Sequence, residues 1–406
     1  MVRLPDWVYG LAVEILVESI KYPTVLGEAY KDMVKYYADK LSEYGVHVTI
    51  HRVPDEYVKE KLIPEYNPDK PRYILLARVG KGDKVLQFNG HYDVVSPGEG
   101  WSVTDPFTPK RVDNKIYGRG STDMKGGIAG FLAAMAYLAS REDLNIVVEA
   151  AVVPDEEIGG VTGTGYLVNE LKSRPNWVVI AEPSGIDNMW IGHKGLVWGY
   201  VKTYGKQVHG STPWLGDNAF EKMVLLAKYF MDNYIPRLKS KRSSYEYDLP
   251  GGEYPTITLG GRVIAPGNIN IVPGVSGFSI DRRLIVEEKA DEVEAELKNF
   301  VEKASNELGV KAEFVVVEKM DPALTKPDTL LVEALSHAVK EVIGVEPRRT
   351  VCVGGLDMRY YTYVGIEAVT YGPGDPNMPH KPNEYIEVDK LHKVIEVYVD
   401  LAYKLG

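Results

Sequence analysis

The chain has 406 residues, 45% hydrophobic and 26% charged, the composition of an ordinary globular protein of two or three domains. Its net charge of -10 argues against a nucleic-acid partner, and no run of about 18 apolar residues exists to span a membrane. Cys352 is the only cysteine, which excludes internal disulfides and cysteine-rich zinc sites. The N-terminus carries no signal-peptide pattern, so a cytoplasmic protein is expected.

Two amphipathic helices open the chain. The first is predicted to start at an N-cap, Asp6, and to carry Trp7, Leu11 and Ile15 on its apolar face. The second spans 27–45 and stops at Gly45. Strands are then predicted at 46–53, 73–79, 85–88, 146–153 and 177–181, with helices at 125–140 and 163–171 between the last three. Strands alternating with helices imply a mostly parallel sheet covered on both faces. From about 190 the texture changes to strand 196–204, helix 217–234, strands 256–259 and 277–285, helix 287–308 and strand 311–318. This β-α-β-β-α-β order is that of a split, ferredoxin-like unit. Its connection PRLKSKRSSYEYDLPGGEYP reads as a polar surface loop. After 327 come a helix at 329–343, strands at 350–353 and 367–371, and a closing helix from Asp389. The expected fold class is therefore α/β. A mostly parallel-sheet catalytic domain at 1–188 and 320–406 is interrupted by a ferredoxin-like α+β domain at 189–319.

Ligands of open α/β sheets bind beyond the carboxyl ends of the strands. There the sequence delivers His91 and Asp93 after one strand, Asp155-Glu156-Glu157 after another and Glu182 after a third. GRGSTDMKGG places Asp123 just before a helix, and His380 follows the last strand in GPGDPNMPHKPNEYI. Each fragment alone is a turn, a helix cap or a solvated face more often than a site. Together they form a rim of carboxylates and imidazoles that would repel itself without a cation. Such donors without thiolate suit zinc, with cobalt or manganese as alternatives, and their number suits two ions sharing a carboxylate. In extended backbone Glu156 and Glu157 point to opposite sides, so one is expected as a ligand and the other as general base. Asp93 is expected to accept from the second nitrogen of His91.

These segments, GHYDVV, GRGSTDMKGG, PDEEIGG, AEPSG, QVHGSTPWLGDNAF and GPGDPNMPHKPNEYI, occur in the order of the acetylornithine deacetylase, succinyl-diaminopimelate desuccinylase and carboxypeptidase G family of di-zinc amidohydrolases and peptidases, which the whole chain resembles. The resemblance implies two divalent metal ions: His91, Asp123 and Glu182 on one, Asp123, Glu157 and His380 on the other. It implies Glu156 as general base, Asp93 as support for His91, and a cis peptide after Asp123. It implies an inserted lid and dimerisation domain whose His209 stabilises the tetrahedral intermediate, in a homodimer from the other subunit. Asn270 and Arg283, from NIVPGVSGFSIDRR, and Gly355 and Arg359, from GGLDMRYY, become candidates for binding the substrate. For Arg283 the alternative is an ion pair on the strand face. Leu356 and Pro379 depart from the family pattern.

The expected activity is hydrolysis of an amide bond in an N-acyl amino acid, by a deacetylase or desuccinylase-like enzyme. The competing readings are a metallocarboxypeptidase or dipeptidase using the same site, and a non-catalytic metal-containing binding protein. A single-metal zincin is excluded because no HExxH motif is present.

Overall fold

The computed structural model describes residues 3–265 and 267–406. They divide into two compact units. The first contains the chain up to Ile191, with Thr325–Thr350 and Leu356–Gly406; the second contains Gly192–Leu324 and Val351–Gly355.

The first unit is built on a mixed sheet. Its strand order is His47–Arg52, Tyr73–Gly80, Val147–Val153, Val85–His91, Trp177–Ile180, Glu367–Thr370, Asn188–His193. The four central strands pair in parallel, as their continuous apolar runs VVEAAVV and WVVI require of strands buried on both faces. Both flanks are antiparallel, which narrows the parallel expectation to the centre. His47–Arg52 is largely exposed, and an antiparallel edge tolerates that.

Helix Lys125–Leu138 is apolar all round because it is covered on all sides. It lies on Val85–His91 and is overlaid by helices Asp6–Ile20 and Val388–Leu405. Gly127 makes this approach possible: a Cβ there would stand 2.0 Å from the Ala181 carbonyl oxygen. The first helix begins one residue earlier than its sequence suggested, with Pro5 as cap and Asp6 inside the first turn. Val8, three residues before Leu11, takes the core position, and Trp7 is 42% exposed, stacked on Tyr44.

In the second unit the strand order is Thr256–Ile264, Val275–Leu284, Gly195–Tyr204, Lys311–Met320, antiparallel throughout. Helices Ala219–Asn233 and Ala290–Leu308 cover the sheet around Val201, Leu226, Phe230, Phe278 and Phe300. The connection expected to be a surface loop is instead docked. The Asp248 amide donates to the Val351 carbonyl at 3.0 Å, the Val351 amide donates to the Glu246 carbonyl at 2.8 Å, and Tyr247 is buried with Ile285 and Val351. Its tyrosines supply the apolar surface that a polar loop would lack. This docking also draws Val351–Gly355 into the second unit.

Candidate metal centre

His91 is the last residue of its strand, and Glu182 follows Trp177–Ile180. Asp123 precedes helix Lys125–Leu138, and the Asp123–Met124 peptide is cis. Glu156 and Glu157 share one 3₁₀ turn, entered through Asp155 at φ 66°. His380, at φ 65°, lies in the loop before strand Tyr385–Glu387.

These ends converge. His91 Nε2 stands 3.1 Å from Asp123 Oδ1 and 3.2 Å from Glu182 Oε1. His380 Nε2 stands 3.0 Å from Glu157 Oε2 and 3.5 Å from Asp123 Oδ2. The structure thus forms two three-residue groups able to hold a metal ion, and each faces a different oxygen of Asp123. Glu156 belongs to neither. It is Glu157 that reaches His380, although the turn replaces the extended backbone on which their separation was argued.

Two imidazoles and three carboxylates at this spacing fit a pair of divalent cations. The electrostatics say the same. Burial, opposed by His91 and reinforced by the charge of Asp123, pushes the Glu182 carboxyl up to about 8. Burial also raises Glu157, with Asp123 adding to it, and raises Glu156 further, with Glu182 adding to it. Hydrogen bonds to Asp123 and Glu157 lift the His380 imidazole to about 10. All these groups hold protons more tightly folded than unfolded, so their stabilisation is present at low pH and lost as pH rises through the folded values. Chelator-treated protein is therefore expected to lose thermal stability steadily between about pH 5 and pH 9, while protein reloaded with Zn²⁺ shows a flatter profile, the cations replacing protons. Thermal melts across that range check this; a flat profile for the stripped protein would contradict it.

Asp93 does more than the sequence suggested. The nearest acceptor to His91 Nδ1 is the Asp93 backbone carbonyl, at 2.9 Å, with the carboxylate at 3.5 Å. The carboxylate also accepts the amides of Glu156 and Glu157, at 3.2 and 3.1 Å. It caps the turn that presents both glutamates, because a turn's first amides lack partners of their own.

Several supporting contacts escaped the sequence reading. Asp155 is fully buried and accepts from Arg72 Nε at 2.6 Å, Tyr30 Oη at 2.8 Å and Thr162 Oγ1 at 2.5 Å. Arg72, equally buried, donates onward to the carbonyls of Tyr66, Asn67 and Lys70. Glu384, also buried, binds the amides of the Asp123 loop. Glu384 stood inside a quoted motif, four residues past His380; Arg72 had no local signal.

The two candidate substrate-binding arginines also make contacts within the protein. Arg359 is buried and donates to the Gly159 and Leu356 carbonyls at 2.5 and 3.0 Å, bracing the loop after Glu157. Arg283 forms a bidentate pair with Asp281, at 2.8 and 3.1 Å, and lies over the Trp198 ring, as the ion-pair alternative expected.

In the second unit, His209 and Asn270 are neighbours. The Gly210 amide donates to the Asn270 carbonyl at 2.6 Å, and both residues are exposed. His209 Nδ1 accepts the Ser211 amide at 3.1 Å and lies 2.7 Å from Ser211 Oγ. Gly355 is exposed, against Met320. Among the described residues, no helix is long and apolar enough to cross a membrane.

The chain is similar to succinyl-diaminopimelate desuccinylase of Nautilia profundicola, 28% identical over 358 residues, 85% of this chain and 92% of that protein. Among solved structures it is similar to an M20 family metallo-carboxypeptidase from Sulfolobus solfataricus, with a TM-score of 0.72 and 22% identity over 97% of this chain and 99% of the other. It is also similar to a dinuclear metal-binding M20 peptidase from Bacillus subtilis, with a TM-score of 0.70 and 14% identity over 98% of both chains. The description "Peptidase family M20/M25/M40" matches residues 87–404, a stretch that includes His91, Asp123, both glutamates of the turn, Glu182 and His380. The chain therefore belongs to that family, enzymes that hydrolyse amide and peptide bonds with bound metal.

Proposed function

We propose that the chain hydrolyses the amide bond of an N-acyl amino acid, using two divalent metal ions, zinc or in its place cobalt or manganese. One ion would be held by His91, Asp123 and Glu182, the other by Asp123, Glu157 and His380. The observation that carries this reading is the division of Asp123, Oδ1 toward His91 and Oδ2 toward His380, with Glu156 outside both groups. When bound, the two ions acidify a water and polarise the scissile carbonyl.

The chain's own residues supply the rest. Glu156 takes a proton from the attacking water and delivers it to the leaving amine. Its raised pKa, caused first by burial, suits a group that must do both. His209 would donate from Nε2 to the oxyanion, a contribution of the kind that is usually largest in acyl transfer. Asn270, Arg283, the Gly355 backbone and Arg359 would orient the substrate carboxylate. The second unit would serve as lid and dimerisation domain. Its exposed apolar side chains Trp214, Leu215, Phe220, Val224 and Met231 support a homodimer formed there.

A metallocarboxypeptidase or dipeptidase activity at the same groups is the second reading, favoured by the closeness in fold to the Sulfolobus carboxypeptidase. A hydrolysis panel separates the two. Metal-loaded protein is given N-acetylornithine, N-acetyl-lysine, N-succinyl-diaminopimelate, N-acetylmethionine and dipeptides, with and without chelator. Chelator-sensitive release from an N-acyl amino acid supports the first reading. Preference for dipeptides replaces it with the second, and silence across the panel with two metals bound would contradict both.

A further inference from the structure

Glu384 is an acid placed where an acid is expensive. It is 0% exposed, close to Asp123, and its partner Arg119 is 1% exposed. A buried charge of this kind persists when every bond around it is made. Here they are. Oε1 accepts the amides of Thr122 and Asp123 at 2.8 and 3.0 Å; Oε2 accepts the Gly120 amide at 3.0 Å and Arg119 Nη1 at 2.6 Å. With four donors on two oxygens the carboxylate has nothing left for a metal or substrate.

Its partner completes a three-way tie. Arg119 Nη2 donates to the Pro97 carbonyl at 3.1 Å and toward the His380 carbonyl at 3.4 Å, and the guanidinium lies over the Trp101 ring. Thr122 Oγ1 donates to the Tyr385 carbonyl, and Asn383 Oδ1 accepts the amides of Ser102 and Val103 at 2.9 and 3.0 Å. Three irregular segments are thereby joined: the one after Asp93, the loop of Asp123 and the loop of His380. The two groups around Asp123 differ in what else supports them. His91 and Glu182 stand at the ends of paired central strands. His380 stands in a loop, its side chain 56% exposed, with left-handed backbone.

We propose that Glu384, held by Arg119, is a positioning residue that builds the His380 half of the metal centre by tying the Asp123 and His380 loops together before metal arrives. This rests on the two-metal reading above. The clamp aims Asp123 Oδ2 and His380 Nε2 at a common point, so its loss is felt mainly by the ion shared among Asp123, Glu157 and His380.

The test uses the full-length protein stripped with chelator and titrated with Co²⁺ and with Zn²⁺, following cobalt absorption and metal content per chain. Glu384→Gln, which cannot accept all four donors, should bind the first ion as wild type does and the second roughly 10–100-fold more weakly. Excess metal should then restore part of the activity. Unfolding of each apo protein is measured alongside. A lowered unfolding midpoint with both metal affinities unchanged would mean a merely structural role and overturn the proposal. If Glu384→Gln does not fold, Arg119→Lys decides. It keeps a cation beside Glu384 but gives up the bonds to the Pro97 and His380 carbonyls. It should weaken the second ion selectively; equal affinities to wild type overturn the proposal. Wild-type protein that takes up no metal would instead overturn the two-metal reading and this inference with it.

Discussion

Glu156→Ala should retain its metal and its fold while kcat falls by about 10²–10⁴-fold, the range for a positioned general acid–base. The geometry separates these effects cleanly. Glu156 contributes no oxygen to either three-residue group, so its removal leaves all five proposed ligands in place. The turn is held through backbone amides by Asp93, and through Asp155 by Arg72, so truncating the side chain does not release it. The water nucleophile then lacks an acceptor for its proton, and the leaving amine lacks a donor. KM should change little, because the group acts on water and leaving amine rather than on the bound substrate. Elemental analysis of the purified variant, with kcat and KM on the best substrate of the panel, checks the prediction. A metal-replete variant with unchanged kcat would remove Glu156 from the mechanism.

The second large effect is on stability. Arg72→Met should destabilise the protein by about 3–5 kcal/mol, since it leaves Asp155 charged and unpaired in the interior. The guanidinium also closes the turn through Tyr66, Asn67 and Lys70, whose carbonyls lose their donor together. The double variant Arg72→Met/Asp155→Asn should recover much of that loss. Asparagine tolerates the left-handed backbone of position 155; its single amide oxygen accepts from Tyr30 or Thr162, which bond different oxygens of Asp155, and its NH2 donates to the other hydroxyl. Urea unfolding of the three proteins measures both quantities. A single variant within about 1 kcal/mol of wild type would show that the pair contributes little.

What the sequence disclosed and what it hid divide along a physical line. The central strands announced themselves because burial on both faces leaves only apolar residues, and their ends announced themselves because the polar residues begin there abruptly. His91, Asp123, Glu157, Glu182 and His380 could be gathered from that pattern and the family resemblance. Arg72 could not. It lies 83 residues from Asp155, and nothing in the surrounding PDKPRYIL says that its side chain turns inward. The capping role of Asp93 stayed hidden for a related reason. The donors to its carboxylate are backbone amides 63 and 64 residues away, and backbone partners leave no trace in composition. Tyr247 shows the converse: a tyrosine in a polar connection found a buried place beside Ile285 and Val351 that only the tertiary fold could provide.

The most direct measurement is anomalous diffraction from crystals of the metal-loaded protein, recorded at the absorption edge of the added ion. The two-metal reading predicts two peaks on either side of Asp123, about 3.5–4 Å apart, one bounded by His91 and Glu182 and the other by Glu157 and His380. A single peak, or peaks away from Asp123, would contradict it.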